Sequence, residues 1–286
     1  DSDAMWSYAM LIEDDDETAK YLKMSADMMN PEGLWRFGSF LLKHGDVDNA
    51  EKYFKLSADL DNAEGEWRYA YILEKKGFIS ESELYYQKSS MKNNANGKSN
   101  IGFLSENGKI RDDYASNYKS AAYLGSDVGQ FNYALVQLKE KKNVESAEHY
   151  FKMSAEQDNP SALYNLSKMY ENKDPQKAAD YMKQAAELGL PEAEVSFGLM
   201  LQKGIGVPKN TREALKSYKS AAKKGNSDGQ YNLGLLLSLS LQFDYAARMF
   251  KKASDQGHEL AALNLASLYQ KGLGVELNPQ KAMKYY

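Results

Sequence analysis

Apolar and small residues return along the chain at a helical spacing, and the whole pattern then repeats about every 32 residues. Pairs of small residues stand at Ser25-Ala26, Ser57-Ala58, Ser89-Ser90, Ala121-Ala122, Ser154-Ala155, Ala185-Ala186, Ala221-Ala222 and Ala253-Ser254. Three residues before each pair comes a large side chain: Leu22, Phe54, Tyr86, Tyr118, Phe151, Met182, Tyr218 or Phe250. A second ladder of small residues runs through Ala4, Gly33, Gly65, Gly97, Gly129, Ala162, Ala193, Gly229 and Ala261, with a further small residue five positions on, as at Gly38, Ala70 and Gly234. Apolar residues four and seven positions after each ladder start, such as Tyr69 with Ile72 and Leu265 with Leu268, fall on one face of an α-helix. Strand alternation is nowhere sustained. Each unit therefore predicts two helices, with Gly45, Gly77, Gly108, Gly204 with Gly206, and Gly272 with Gly274 in the turns between them. Asp3, Glu32, Glu64, Glu192 and Asp228 are expected just ahead of first helices, against the positive end of the helix dipole. Small residues at fixed places let helix backbones approach, and the large residue before each pair fills the space this opens. One such αα-hairpin cannot bury its apolar face alone. Successive units are expected to stack into an all-α, right-handed α/α superhelix, a solenoid of αα-hairpins.

Two turns are longer than the rest, Gly204-Ile205-Gly206-Val207-Pro208-Lys209-Asn210 and Gly272-Leu273-Gly274-Val275-Glu276-Leu277-Asn278. Together with Ala221-Ala222-Lys223-Lys224-Gly225 and Gly229-Gln230-Tyr231-Asn232-Leu233-Gly234, they resemble the Sel-1-like repeat, a relative of the tetratricopeptide repeat. The resemblance spans the chain as eight full units and a truncated ninth, although only the C-terminal units carry the Gly-x-Gly-Val turn. It implies a non-enzymatic adaptor or scaffold that binds protein segments on its superhelical surfaces. Some members of the family serve endoplasmic-reticulum quality control, and others are bacterial periplasmic or host-directed proteins.

At 100° per residue the position two after each ladder start lies opposite the core side. A surface helix should be polar there, yet the residues are Trp6, Trp35, Trp67, Ser99, Phe131, Tyr164, Val195, Tyr231 and Leu263. Position plus six adds Met10, Tyr71, Phe103, Leu135, Leu199 and Leu235. In tetratricopeptide-like superhelices the corresponding positions line the concave groove, so Trp6, Trp35, Trp67, Tyr71, Phe103, Phe131, Leu135, Tyr164, Leu199, Tyr231 and Leu235 form the candidate partner-binding set. Aromatic rings bury large areas and anchor interfaces. The same rings could instead pack between adjacent first helices, and one ring with an exposed face can do both. Related grooves clamp a peptide C-terminal carboxylate with Lys and Asn at these positions, whereas here Lys168 is the sole basic residue. The expected partner is another protein or peptide, apolar or aromatic in character.

Composition narrows the chemistry. The 286 residues include no Cys, which excludes disulfides, zinc-thiolate sites, iron-sulfur clusters and thiol catalysis, and tilts the compartment toward reducing surroundings while leaving a secretory or endoplasmic-reticulum location open. Length alone suggests about two domains, but the repeats predict a single solenoid over 1–286, cut from a longer chain. With 36 basic and 40 acidic residues, no nucleic-acid partner is expected. No apolar run approaches the roughly 20 residues of a membrane span. His44, His149 and His258 sit in three different units, which offers no metal pair or catalytic triad, and no cofactor is expected. The ladder Lys23, Lys55, Lys119, Lys152, Lys183, Lys219 and Lys251 reads as a solvated ridge or a basic stripe for an acidic partner. The run Glu13-Asp14-Asp15-Asp16-Glu17 reads as a turn or helix start, and the sequon Asn165-Leu166-Ser167 falls on the core side of a helix. In the eighth unit Ser238-Leu239-Ser240-Leu241 replaces the glycine turn, either as a tighter turn or as a second apolar contact. Two further roles stay open: a regulatory or targeting segment of a larger enzyme or membrane-associated complex, such as one in protein quality control, and self-association through the terminal units.

Overall fold

A computed structural model describes residues 1–139 and 143–286. Among the described residues there are eighteen helices and no strand, as the periodicity predicts. They group into two compact units, Asp1–Tyr150 and Phe151–Tyr286. In the first unit, α1 (Ser2–Ala9), α3 (Pro31–Lys43), α5 (Ala63–Lys75), α7 (Ala95–Glu106) and α9 (Asp127–Lys139) are first helices of hairpins. Their second helices are α2 (Asp15–Asp27), α4 (Val47–Asp59), α6 (Ile79–Met91), α8 (Tyr114–Tyr123) and α10 (Val144–Ala155), the last of which runs on from Phe151 into the second unit. The second unit alternates first helices α11 (Pro160–Tyr170), α13 (Pro191–Lys203), α15 (Ser227–Leu239) and α17 (Glu259–Lys271) with second helices α12 (Pro175–Glu187), α14 (Thr211–Lys223), α16 (Phe243–Asp255) and α18 (Pro279–Tyr285).

Asparagine starts many of the first helices. Asn30, Asn62, Asn94, Asn159 and Asn226 each accept a hydrogen bond from the backbone N–H three residues on, at 2.8–3.1 Å. Such caps contribute about 1 kcal/mol each. The residue before each of these caps has positive φ, from Met29 (56°) to Gly225 (89°), which turns the chain sharply out of the preceding hairpin. This corrects the expectation for the acidic residues: Asp3, Glu32, Glu64, Glu192 and Asp228 lie inside the first helical turn, two places beyond the cap. The acidic run does start a helix, with Asp14 capping α2 by accepting from the Glu17 N–H at 2.8 Å.

The two ladders of small residues have different neighbours. The ladder start meets the small pair of the preceding hairpin: a Cβ on Gly33 would lie 2.2 Å from Ser25 Oγ, and one on Gly229 would lie 2.7 Å from Ala221 Cβ. The small residue five places later meets the large residue of its own hairpin, where a Cβ on Gly38 would approach the Phe54 ring to 2.8 Å and one on Gly198 the Tyr218 ring to 2.6 Å. Phe54, Tyr86, Tyr118, Phe151, Tyr218 and Phe250 are accordingly fully buried. Each such ring stabilises its hairpin by about 1.5–3 kcal/mol through burial, so the apolar content is spread over many small cores. The core register fails only in the first hairpin, where Tyr8 and Leu11 are exposed. There α1 has eight residues and ends at Ala9, which leaves Leu11 in the connection.

A polar pairing tracks the identity of the large residue. Where it is Tyr, its hydroxyl donates to the side chain nine places after the ladder start: Tyr86 to Glu74 (3.1 Å), Tyr118 to Glu106 (2.8 Å) and Tyr218 to Gln202 (2.9 Å), and Tyr286, at the corresponding place after α17, donates likewise to Gln270 (2.9 Å). Where it is Phe, that place holds Leu42, Leu138 or Ser238. Ser238 keeps a buried hydroxyl without a partner opposite Phe250. Burial pushes the Tyr218 phenol up to about 12, and burial with a facing carboxylate raises Tyr86 and Tyr118 further still.

Candidate functional site

The first-helix face of Asp1–Tyr150 is built around three tryptophans, and each indole is fixed from both its edge and its faces. Trp35 Nε1 donates to Glu32 Oε2 at 3.0 Å, and Trp67 Nε1 to Glu64 Oε2 at 2.9 Å, in each case one helical turn back. The N-cap asparagine of the next hairpin binds the same carboxylate, Asn62 to Glu32 at 3.0 Å and Asn94 to Glu64 at 2.7 Å. Arginines lie between the rings. The Arg36 guanidinium carbon is 4.3 Å from the Trp6 centroid and 4.3 Å from that of Trp35, and Arg68 is 4.1 Å from Trp35 and 4.3 Å from Trp67. The result is a pile in the order Trp6, Arg36, Trp35, Arg68, Trp67, built from the three successive first helices α1, α3 and α5.

The pile is held by charge as well as by stacking. Arg68 pairs with Glu64 and donates from Nε to Ser39 Oγ at 3.2 Å. Burial works against the Glu64 charge, but its bonds to Arg68, Trp67 and Asn94 outweigh this and hold the carboxyl below the usual carboxylate range. Arg36 pairs with Glu32 at 3.5 Å, while its Nε is buried without an acceptor. In the first hairpin the place of Ser39 is taken by Met10, just after α1, which has no hydroxyl to offer. The sequence signal for the pile is the doubled stretch Asn-x-Glu-Gly-x-Trp-Arg at Asn30–Arg36 and Asn62–Arg68. Periodicity alone does not single out its arginines, because they occupy only two units. At α7 the stretch lapses, with Ser99 and Asn100 where Trp and Arg would continue it.

The candidate partner-binding residues thus fall into distinct settings. Trp6, Trp35 and Trp67 are half-buried within the pile, so they pack between adjacent first helices while keeping part of each ring outside. Tyr71 and Phe103 are exposed, at 38% and 44%. Phe131 and Leu135, on α9, are half-buried. A cavity of about 400 Å³ opens beside Trp67 and Tyr71, with Ser39, Leu42, Lys43 and Arg68 at its walls and Phe54 at its base. In Phe151–Tyr286, Tyr164 and Leu199 pack on the edge of the core around Met182 and Tyr218. Tyr231 and Leu235 pack beside Phe250 and Leu265. Tyr231 also stacks on the ring of His258 at 4.4 Å, and His258 faces Asp228 at 3.3 Å. At the same register Ser99 and Val195 are buried and Leu263 is exposed. Leu166 and Ser167 of the sequon are buried, as their register predicts. No group of three or more His, Cys, Asp or Glu side chains among the described residues is placed to hold a metal ion, and no described helix is long and apolar enough to cross a membrane. What the face presents is an aromatic and guanidinium wall with apolar edges.

Stacked αα-hairpins joined by one-residue left-handed links, with the small-residue ladders between them, define a helical-repeat solenoid protein. The Sel1 repeat model matches residues 35–62, 128–159, 160–190, 191–226, 227–258 and 260–286, and the chain belongs to the Sel1-repeat family. Proteins of this family are commonly protein-interaction scaffolds, and their solenoids are typically non-catalytic. Among solved structures, a protective antigen of uropathogenic Escherichia coli strains displaying an SLR fold is similar, with a TM-score of 0.67 at 23% identity over 99% of this chain and 68% of that one. A Sel1 repeat protein from Oxalobacter formigenes has a TM-score of 0.65 at 24% identity over 77% of this chain and 94% of its own. Yeast Tom70 follows with 0.59 at 15% identity, over 95% of this chain and 65% of that one. At these identities the likenesses establish the fold alone. No curated protein matches the chain.

Proposed function

We propose that the chain is a non-enzymatic scaffold that holds a polypeptide segment of another protein along its first-helix face. In Asp1–Tyr150 the contact runs over the edges of Trp6, Trp35 and Trp67 and the exposed rings of Tyr71 and Phe103. Phe131 and Leu135 continue this face, and Tyr164, Leu199, Tyr231 and Leu235 present the corresponding face of Phe151–Tyr286. The observation that carries the reading is the Trp–Arg pile beside an open cavity of about 400 Å³. A wall fixed by stacking and by two hydrogen bonds to each glutamate loses little freedom when a ligand lands, so more of the contact energy appears as affinity. The cavity walls are largely apolar with Lys43 and Arg68 at the rim, which favours an aromatic or aliphatic side chain inserted from the partner. Selection from a displayed peptide library should enrich sequences with spaced aromatic or aliphatic residues. Tyr71→Ala with Phe103→Ala should abolish their binding while circular dichroism keeps full helicity. Peptides that bind the double variant as well as they bind the parent protein refute the assignment.

A further inference from the structure

Three departures from the repeat pattern coincide on the second-helix side of Phe151–Tyr286. The long turns of two of its hairpins, α13–α14 and α17–α18, fold back onto the preceding hairpin. A Cβ on Gly206 would lie 1.9 Å from Pro175 O and 3.0 Å from Ala179 Cβ, and one on Gly274 would lie 2.1 Å from the Phe243 carbonyl carbon. Val207 and Val275 pack into the cores they cover, which contain Ala179 and Ala247 respectively. Between α15 and α16 the turn is only Ser240-Leu241-Gln242, and no residue corresponds to these valines. This also corrects the sequence expectation, since Ser238 and Leu239 still belong to α15. In α14 the place of Ala179 and Ala247 is taken by Leu215, which is exposed. A cavity of about 500 Å³ is left there, floored by Leu233, Leu236 and Leu237 and walled by Leu215, Tyr245 and Met249.

The third departure is charge. Lys183 pairs with Glu187 at 3.7 Å and Lys251 with Asp255 at 2.8 Å, each acid standing four residues after its lysine. The equivalent of those acids after Lys219 is Lys223, so like charges face each other at a spacing where they cost a few tenths of a kcal/mol. Lys219, Lys223 and Lys252 all border the cavity, and none has an ion-pair partner among the described residues. Beside them the turn holds Leu239 at 77% and Leu241 at 75% exposure. Leu241 adopts φ 60°, a conformation that Gly45 and Gly77 supply in other short turns. An exposed leucine in a strained turn, an uncovered apolar pocket and three ammonium groups without an ion-pair partner among the described residues thus meet at one place.

We propose that this pocket is a second docking site, separate from the first-helix face, for a short segment of a partner protein that places leucine-like side chains between Asp or Glu residues. The apolar side chains replace the missing turn residues over Leu215 and Leu236, and the carboxylates neutralise the lysine rim. Charge complementarity makes the binding fast and salt-sensitive.

The test uses the whole chain with methyl-labelled leucine and methionine, titrated with helical peptides that carry two leucines one turn apart flanked by Glu. Saturable shifts confined to Leu215, Leu236 and Met249, at least tenfold weaker binding to the Lys219→Glu/Lys223→Glu variant, and loss of affinity with salt are expected. The same peptide with Lys in place of Glu should not bind. A second variant, with Gly204–Asn210 grafted in place of Ser240–Gln242 and Leu215→Ala to admit it, should close the pocket and abolish binding while helicity is kept. Absence of methyl shifts, equal binding of the Lys-flanked peptide, or undiminished binding by the grafted variant overturns the proposal. Concentration-dependent mass of the peptide-free chain that vanishes in Lys219→Glu/Lys223→Glu would assign the pocket to a second copy and overturn it equally.

Discussion

Replacing Gly206 by alanine tests whether the long turns are clamped onto the hairpin before them, with Gly204→Ala as the internal control. Both glycines have positive φ, 75° at Gly204 and 68° at Gly206, so each substitution carries the left-handed penalty of about 1–2 kcal/mol. At Gly204 the nearest atom to a new Cβ is 3.5 Å away, and nothing is added to that penalty. At Gly206 the new atom would sit 1.9 Å from Pro175 O, a backbone oxygen that no rotamer change can move. The turn must lift, and the half-buried Val207 leaves the core around Ala179 and Met182. Losing about half of a valine's burial adds roughly 1 kcal/mol, and the loss of packing against α12 brings the total to about 3–4 kcal/mol. Urea unfolding followed by circular dichroism compares the two variants, and native-state hydrogen exchange at Ala178 and Ala179 locates the damage. Equal destabilisation by both substitutions, or unchanged protection at the start of α12, refutes the clamp and with it the origin assigned to the uncovered pocket.

Other consequences concern the polar pairs inside hairpins. Tyr218 stays neutral up to about pH 12 in the fold but ionises near pH 10 when unfolded, so its contribution is complete below pH 10 and is lost between pH 10 and 12, at about 1.4 kcal/mol per pH unit. Tyr86 and Tyr118 act in the same direction. Alkaline unfolding should therefore move to higher pH in Tyr218→Phe, and a lower or unchanged midpoint contradicts this. Ser238→Gln with Phe250→Tyr copies the Gln202–Tyr218 bond into the eighth hairpin and should stabilise it by about 1 kcal/mol, read as a higher urea midpoint; a lower midpoint argues that the register differs. Lys224 bonds the buried Glu194 at 2.7 Å, so Lys224→Met strands a charge and should cost about 3 kcal/mol. Glu194→Gln should cost far less in the same unfolding assay, because Gln230 with Gln256 already serves at this place in the next hairpin, at 2.9 Å.

Much of the hairpin architecture was legible because one spacing is repeated many times, and each copy of the small-residue ladder reinforces the others. The contact of Gly38 with Phe54 follows directly from that register. Features that belong to single hairpins were less legible. Arg36 and Arg68 occur in two units only, and their meaning depends on a ring contributed by the preceding hairpin. The capping role of Asn30 and Asn62 was masked by the acidic residues two places later, which share the same helical turn. The cavity beside Leu215 is the consequence of a missing segment, and a spacing search registers what recurs. The aromatic set was chosen by helical angle, which places a side chain on a face; what covers that face depends on the neighbouring helix.

The central claim is that a polypeptide partner lies along the first-helix face of Asp1–Tyr150. A photo-crosslinking residue placed in turn at Tyr71 and Phe103 on that face, and at Leu56 and Leu84 on second helices, tests it most directly. The account predicts cross-links to a polypeptide from positions 71 and 103, reduced by a selected peptide added as competitor, and none from positions 56 and 84. Cross-links of equal yield from all four positions, or from 56 and 84 alone, would contradict it.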